Sequence, residues 1–274
     1  LPPDFLTASI GRMAGDPRIA FAQCAHAARR SGCTEFASQH TIAIAAHWRH
    51  FVPARARYGL LPFYGHGAVI RSEAWRKVGG FPEIVSEDFA LTVELRKAGF
   101  VGVFVPDVTC EESFPPDFDA IARRTGKWVR GTLEFLRAYA VPFMRCPGVS
   151  WCEKLDLAFC CLGLLLPLPF LLVMLGIAIV YCAGDLNGLR IGLAAIWTDP
   201  LVYATSVIAM TAPMLYSLAE LPRQGSPVLR QMVFATCTYL ALIPHSAWEE
   251  VNYVATGRAT FPVTGSKCDG PHTE

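Results

Sequence analysis

SEDFALTVELRKAGFVGVFV, residues 86–105, decides the fold class. Ser86 is a good N-cap, and residues 87–98 suit a helix that stops at Gly99. FVGVFV (100–105) then suits a buried strand. A helix that hands its chain directly to an apolar strand is the repeating step of an α/β sheet. Upstream, Phe5 to Met13 suits a helix, and Arg18 to Gln23 suits a short strand after an Asp-Pro turn. Residues 34–52 suit a helix that stops at Pro53. Residues 63–70 (FYGHGAVI) suit a strand or a glycine-rich extended loop, and residues 72–78 a short helix ending at Gly79-Gly80. Downstream, Pro115-Pro116-Asp117 starts a long helix reaching about Tyr139. The alternation predicts a mainly parallel sheet within residues 1–144.

Beyond residue 144 the composition changes. The chain is 53% hydrophobic and 17% charged, well below the charge of an ordinary soluble domain, and the deficit is concentrated in its second half. Leu157–Gly184 is a charge-free run of 28 residues, Pro200–Ala219 one of 20 and Gln231–Trp248 one of 18. A helix crossing a bilayer needs roughly 20 apolar residues. Residues 145–251 are therefore expected to form transmembrane or interfacial helices, and residues 252–274 a polar tail. The loop holding Arg223 and Arg230 is more basic than 185–199, so the first run should exit and the second return. Pro244-His245 interrupts the third run, which is expected to be interfacial or re-entrant and to leave the tail cytoplasmic. A net charge of +1 gives no footprint for nucleic acid. The ten cysteines form no CxxC pair and read as reduced thiols.

Three local constellations could carry chemistry. Glu87-Asp88 gain from the positive end of a helix and serve either as a helix start or as a general base. Arg124-Thr125-Gly126-Lys127-Trp128 sets cations beside an indole. That suits either a membrane-surface helix or a site that offsets charge on a departing diphosphate while the ring stacks on a sugar. On the same helix Phe118, Ile121, Thr125, Trp128, Val129, Leu133 and Leu136 share one side, and Arg123, Lys127, Arg130 and Arg137 another. In Gly65-His66-Gly67 the glycines allow close approach to a ligand, and His66 is either structural or a ligand contact.

The order of these segments carries a resemblance. GHGAVIRSEAW (65–75), GGFP (79–82), SEDFALTVELRKAGF (86–100), EESFPPDF (111–118) and RRTGKWVRGTLEFL (123–136) resemble the second half of a processive family-two glycosyltransferase. Bacterial cellulose synthase catalytic subunits and the glucan biosynthesis glucosyltransferases of Gram-negative inner membranes are both similar, and EESFPPDF leans towards the latter. The resemblance implies a partial GT-A-like nucleotide-sugar transferase domain, α/β in class, followed by transmembrane α-helices. Glu87-Asp88 match the family's ED pair, which implies Asp88 as general base. Arg124, Lys127 and Trp128 fall on the QxxRW motif, with Arg124 in place of Gln and Lys127 in place of Arg. The family roles are leaving-diphosphate contacts for Arg124 and Lys127 and acceptor stacking for Trp128, with Gly65, His66 and Gly67 beside the acceptor. Phe261, Val263, Thr264 and Lys267 are similar to the FxVTxK gating segment, with one residue more between Thr264 and Lys267.

Leu1-Pro2-Pro3-Asp4-Phe5-Leu6 is similar to the stretch just after the DxD motif. The resemblance thus implies a divalent metal (Mg or Mn) whose ligands lie outside this chain, and no metal site within it. The implied partners are a UDP-hexose donor, a glycan acceptor and the lipid bilayer of the bacterial inner membrane, with the transferase domain on the cytoplasmic side. The implied activity is inverting transfer of a hexose, glucose from UDP-glucose, to a growing β-glucan. Chitin-, hyaluronan- or exopolysaccharide-like products, and a non-catalytic membrane subunit, remain the alternatives.

Overall fold

The computed structural model describes residues 1–29, 34–184 and 228–259, together with Asn187 and Pro200. Residues 201–219 of the second apolar run, and Phe261, Val263, Thr264 and Lys267, lie outside the described residues.

Helix α1 (Phe5–Ala14) leads into strand β1 (Ile19–Ala28). Helix α2 (Glu35–Ala46), capped by Thr34, runs through a π-helical turn (His47–Phe51) into α3 (Val52–Tyr58). The helical path therefore does not stop at Pro53. Proline lacks only a donor that the first turn of α3 does not need, so it starts a helix instead. Strand β2 (Ala68–Ile70) and α4 (Ser72–Lys77) follow. Next come α5 (Glu87–Lys97), β3 (Val101–Glu112) and α6 (Phe118–Phe135), which Asp117 caps through Ala120 N–H.

The sheet has the order β2-β1-β3 and is mixed: β1 and β3 are parallel, β1 and β2 antiparallel. Both long strands outrun the six-residue stretches expected, because their C-terminal halves, mixed in polarity, are held by pairing with each other. Cys24 pairs with Val105 and Ala25 with Thr109, so residues 106–108 bulge out of β3. Helix α1 covers one face with Phe5 and Met13 against Cys24, Val105 and Cys110. On the other, Phe21 packs with Trp48, Val52, Leu61, Phe63, Leu91 and Leu95. A second core joins α5 to Phe135, Phe143 and Leu157 beyond it.

A π-helical turn (Leu136–Ala140) joins α6 to α7 (Val141–Arg145). Helix α8 (Trp151–Leu165) opens with a capping box of Ser150 and Glu153. Helix α9 (Pro167–Cys182) follows at a bend of 50°. The first apolar run thus folds as two helices, since Pro167 cannot continue the hydrogen-bond ladder of α8. The pair meets the length and composition of a membrane span only when taken together, and no single described helix is long and apolar enough to cross. The third run belongs to α10 (Val228–Thr256), which continues through Pro244 without the expected interruption. Helix α10 packs on α6 and α9. Glu250 accepts a bond from Leu168 N–H at 3.2 Å, satisfying an unpaired donor in the first turn of α9. The eight described cysteines are free thiols.

Candidate active site

Gln23, wholly buried on β1, organises the site. Its Oε1 accepts Tyr64 N–H at 3.0 Å, and its Nε2 donates to the His66 carbonyl at 3.0 Å. Thr92 on α5 accepts Phe63 N–H at 2.8 Å and donates to the Asp88 carbonyl at 2.9 Å. Together these bonds fix the 63–67 loop against β1 and the first turn of α5.

Gly65 and Gly67 both take positive φ, 79° and 58°. A Cβ on Gly65 would lie 3.4 Å from Asp88 Oδ2, and one on Gly67 would lie 2.3 Å from His26 Nε2. The glycines therefore let the loop close upon the protein's own side chains, Asp88 and His26.

Asp88 is half-buried, and its Oδ1 accepts Phe89 N–H at 2.7 Å. Burial raises its affinity for a proton; Glu87 adds to this, and the Lys127 charge opposes it. Ser86 makes no side-chain cap bond, contrary to expectation. A Cβ on Gly131 would meet its Oγ at 2.3 Å, so the hydroxyl faces α6.

Helix α6 supplies the cations. Gly131 seats it on Val85 and Ser86, and Glu134 accepts Val85 N–H at 2.8 Å. Gly126 seats its other side on α10, where a Cβ would be 3.1 Å from both His245 Nε2 and Glu249 Cγ. Arg130 turns towards α10. It donates to Glu249 Oε2 at 2.5 Å, with only 12% of either side chain exposed. Trp128, on the apolar side of the helix, is 45% exposed. The Arg124 guanidinium stands 4.8 Å from the Trp128 ring centroid and 5.8 Å from that of Phe114. Its Nε is buried without a hydrogen-bond partner among the described residues. Burial lowers the Arg124 pKa, partly offset by the charge of Glu112. A stacked cation beside an open indole face suits a sugar ring or a phosphate oxygen.

Sequence reading missed His26 and Glu112. Buried His26 donates from Nδ1 to Glu112 Oε2 at 2.9 Å, and His66 bonds the same oxygen through Nε2. Burial alone would raise the Glu112 pKa, but the two imidazoles outweigh it and hold the carboxyl at about 2. The bond to Glu112 raises the His66 pKa in turn. Glu112 lies 86 positions from His26, and only the pairing of β1 with β3 brings them together.

The ligand atoms of His26, His66 and Glu112 lie within 4.8 Å of one another, close enough to invite a metal. The hydrogen bonds argue otherwise. His26 Nε2 sits 3.2 Å from the Gln23 amide nitrogen, a donor, so Nε2 must accept and Nδ1 must carry the proton. A metal on Nδ1 would reverse that tautomer and set two N–H groups face to face. The group is a hydrogen-bonded relay.

A family model described as glycosyl transferase family group 2 matches residues 1–243. The chain belongs to that family. It is similar to "Glucans biosynthesis glucosyltransferase H" of Bradyrhizobium diazoefficiens, 28% identical over 193 residues, 66% of this chain and 22% of the relative. The protein of the same name from Vibrio cholerae is 29% identical over 106 residues, 35% of this chain and 14% of the relative. The chain thus spans about a fifth or less of these relatives. Among solved structures, the mannosyltransferase PcManGT from Pyrobaculum calidifontis, in complex with GDP-Man and Mn2+, aligns with a TM-score of 0.42 at 19% identity. The alignment covers 80% of this chain and 57% of that one.

Proposed function

We propose that this chain carries the acceptor side of a membrane-bound, inverting hexosyltransferase that extends a β-glucan with glucose from UDP-glucose at the cytoplasmic face of a bacterial inner membrane. The observation that carries the reading is Asp88, a half-buried carboxylate with raised proton affinity, held against the glycine loop and within the field of Lys127.

In the proposed reaction the Asp88 carboxylate takes the proton of an acceptor hydroxyl as that oxygen bonds the anomeric carbon. The bond from that carbon to the diphosphate breaks on the opposite face, so the configuration inverts. Burial raises the pKa of the base towards working pH, where a base is most effective. Glu87, at the first position of α5, supports Asp88 through its field. Lys127 and Arg124 offset charge on the departing diphosphate. Lys127 does so as a point charge, without the two-pronged fork of the family's arginine. The open Trp128 ring, braced by Arg124, stacks on the acceptor sugar. A divalent metal would neutralise the donor diphosphate, and no described residues supply a fitting ligand set for it. Residues 145–251 would form or border the path of the product, and Phe261, Val263, Thr264 and Lys267 would gate the donor.

The test is Asp88→Asn in the full-length protein carrying this sequence. Turnover should fall by about 10²–10⁴-fold, with UDP-glucose binding kept. A loss below tenfold would reduce Asp88 to a helix-start residue.

A further inference from the structure

The relay of His26, Glu112 and His66 is not used by the reaction above. Both histidines bond one oxygen of Glu112, Oε2, and Oε1 is taken by neither. The carboxylate keeps 22% of its side-chain surface open to solvent. Three neighbours locate it in the same cleft. His66 adjoins Gly65, which abuts Asp88; Arg124 feels the charge of Glu112; and Phe114, two residues on, lies under that guanidinium.

Each bond also fixes orientation. His26 is clamped between Gln23 and the Trp48 ring, stacked at 4.2 Å, so its Nδ1–H points one way. The Tyr64 carbonyl accepts from His66 Nδ1 at 2.9 Å and Glu112 accepts from Nε2, so His66 carries both ring protons. A carboxylate gripped through one oxygen and open at the other is the usual device for reading a sugar hydroxyl, because it accepts two strong, directional bonds.

We propose that Glu112 is a further acceptor-binding residue, whose Oε1 accepts a hydroxyl of the carbohydrate acceptor, with His26 and His66 as the positioning residues that aim it. The inference rests on the transferase reading for its ligand class, a polyhydroxylated glycan chain. It differs in where recognition occurs: at the end of β3, beside the base, in addition to the Trp128 platform.

The experiment uses the full-length enzyme in bilayer vesicles with a soluble β-gluco-oligosaccharide as probe. Three quantities are read: half-saturation by the oligosaccharide in transfer, its direct binding without donor, and hydrolysis of UDP-glucose without acceptor. Glu112→Gln keeps shape and removes charge. It should raise half-saturation about 10–100-fold, the loss expected for one charged hydrogen bond. Turnover at saturation and donor hydrolysis are read beside it, to separate acceptor binding from the chemical step. Half-saturation within threefold of wild type would overturn the assignment. Should the glutamine variant lose donor hydrolysis as well, Glu112→Asp decides. It keeps the charge but falls short by one methylene, so weaker oligosaccharide binding supports the assignment and wild-type binding overturns it. Oligosaccharide binding should survive chelation of divalent metals, and its loss would mean that the relay holds a metal instead. An enzyme that binds the oligosaccharide through Glu112 but transfers no hexose would refute the transferase reading and leave this one standing.

Discussion

Gly67→Ala separates two costs that usually come together. Gly67 has φ 58°, and an added Cβ would lie 2.3 Å from His26 Nε2. The left-handed conformation costs an alanine about 1–2 kcal/mol. The overlap demands a shift of roughly 1 Å, which in a packed setting costs about 1–3 kcal/mol more. His26 cannot give way, because Trp48 stacks on one face and Gln23 and Glu112 hold its two nitrogens. The loop can, because Gly65 and His66 are exposed. The movement should therefore go into the loop, carrying His66 from Glu112 and Gly65 from Asp88. Gly79→Ala is the control: φ is 85°, but nothing lies within 4 Å of its Cβ position, so only the conformational cost applies. By thermal unfolding of the detergent-solubilised full-length protein, the two variants should differ by no more than about 3 kcal/mol. By transfer assay Gly67→Ala should lose at least tenfold, and Gly79→Ala almost nothing. Equal activity in the two variants would refute the claim that this loop is fitted to the protein's own side chains.

Asp88→Asn should raise stability while it lowers turnover. A carboxyl whose folded pKa is raised favours folding at low pH and loses that contribution as pH rises through the raised value, so at neutral pH the charged form is a burden that asparagine removes. A lower midpoint in thermal unfolding at pH 7.5 for the variant would contradict this. Glu112 works oppositely: its folded value of about 2 lies below the ordinary 4.5 of a glutamate, so its contribution is present above 4.5 and fades as pH falls towards 2. Acid unfolding followed by circular dichroism should begin at higher pH in Glu112→Gln. His47, half-buried and held neutral down to about 4 by that burial, adds a loss of stability as pH falls from 6.5 to 4, which His47→Gln should abolish. Glu249→Ala leaves Arg130 buried without its partner and should cost about 3 kcal/mol, whereas Arg130→Ala with Glu249→Ala should cost less than the two single losses added. Strict additivity would show that the pair is not coupled.

Much of the fold was legible because its signals are local. Gly99 ends α5 at φ 89°, Asp117 caps α6, and Gly79-Gly80 close α4, each within a few residues of the element they bound. Pro53 misled because a proline reads the same whether it stops a helix or starts one, and only the π-helical turn before it settles which. The strand lengths were hidden because Ala25–Ala28 and Thr109–Glu112 are mixed in polarity and become strand only through each other. The site divides in the same way. Asp88, Lys127 and Trp128 stand in compact motifs. His26 and Glu112 carry no mark apart from their meeting, and Gln23, which clamps the loop to β1, reads in sequence as one polar residue in an apolar strand.

The two carboxylates of the cleft show why geometry assigns what motifs do not. Asp88 and Glu112 are both acids at the end of an element, both partly covered, and both beside the glycine loop. Asp88 accepts one backbone N–H, and burial outweighs the pull of Lys127, so its proton affinity rises. Glu112 is also penalised by burial, yet two imidazoles bond one of its oxygens and drive its affinity far down. Environments that push two carboxyls in opposite directions separate their chemistry. An acid that readily takes a proton suits the transfer of one from an attacking hydroxyl. An acid that refuses a proton cannot act as that base near neutral pH, but remains a constant acceptor for a hydroxyl that must be held and not deprotonated. On the proposed reading, base and anchor therefore cannot exchange roles. Removing His66 should shift Glu112 towards Asp88 in behaviour: its pKa rises, and the pH dependence of oligosaccharide binding moves upward with it. His66→Gln should thus make binding fall off in mild acid, where the wild-type enzyme still binds. An unchanged acid limb would mean that the histidines do not set the charge of Glu112.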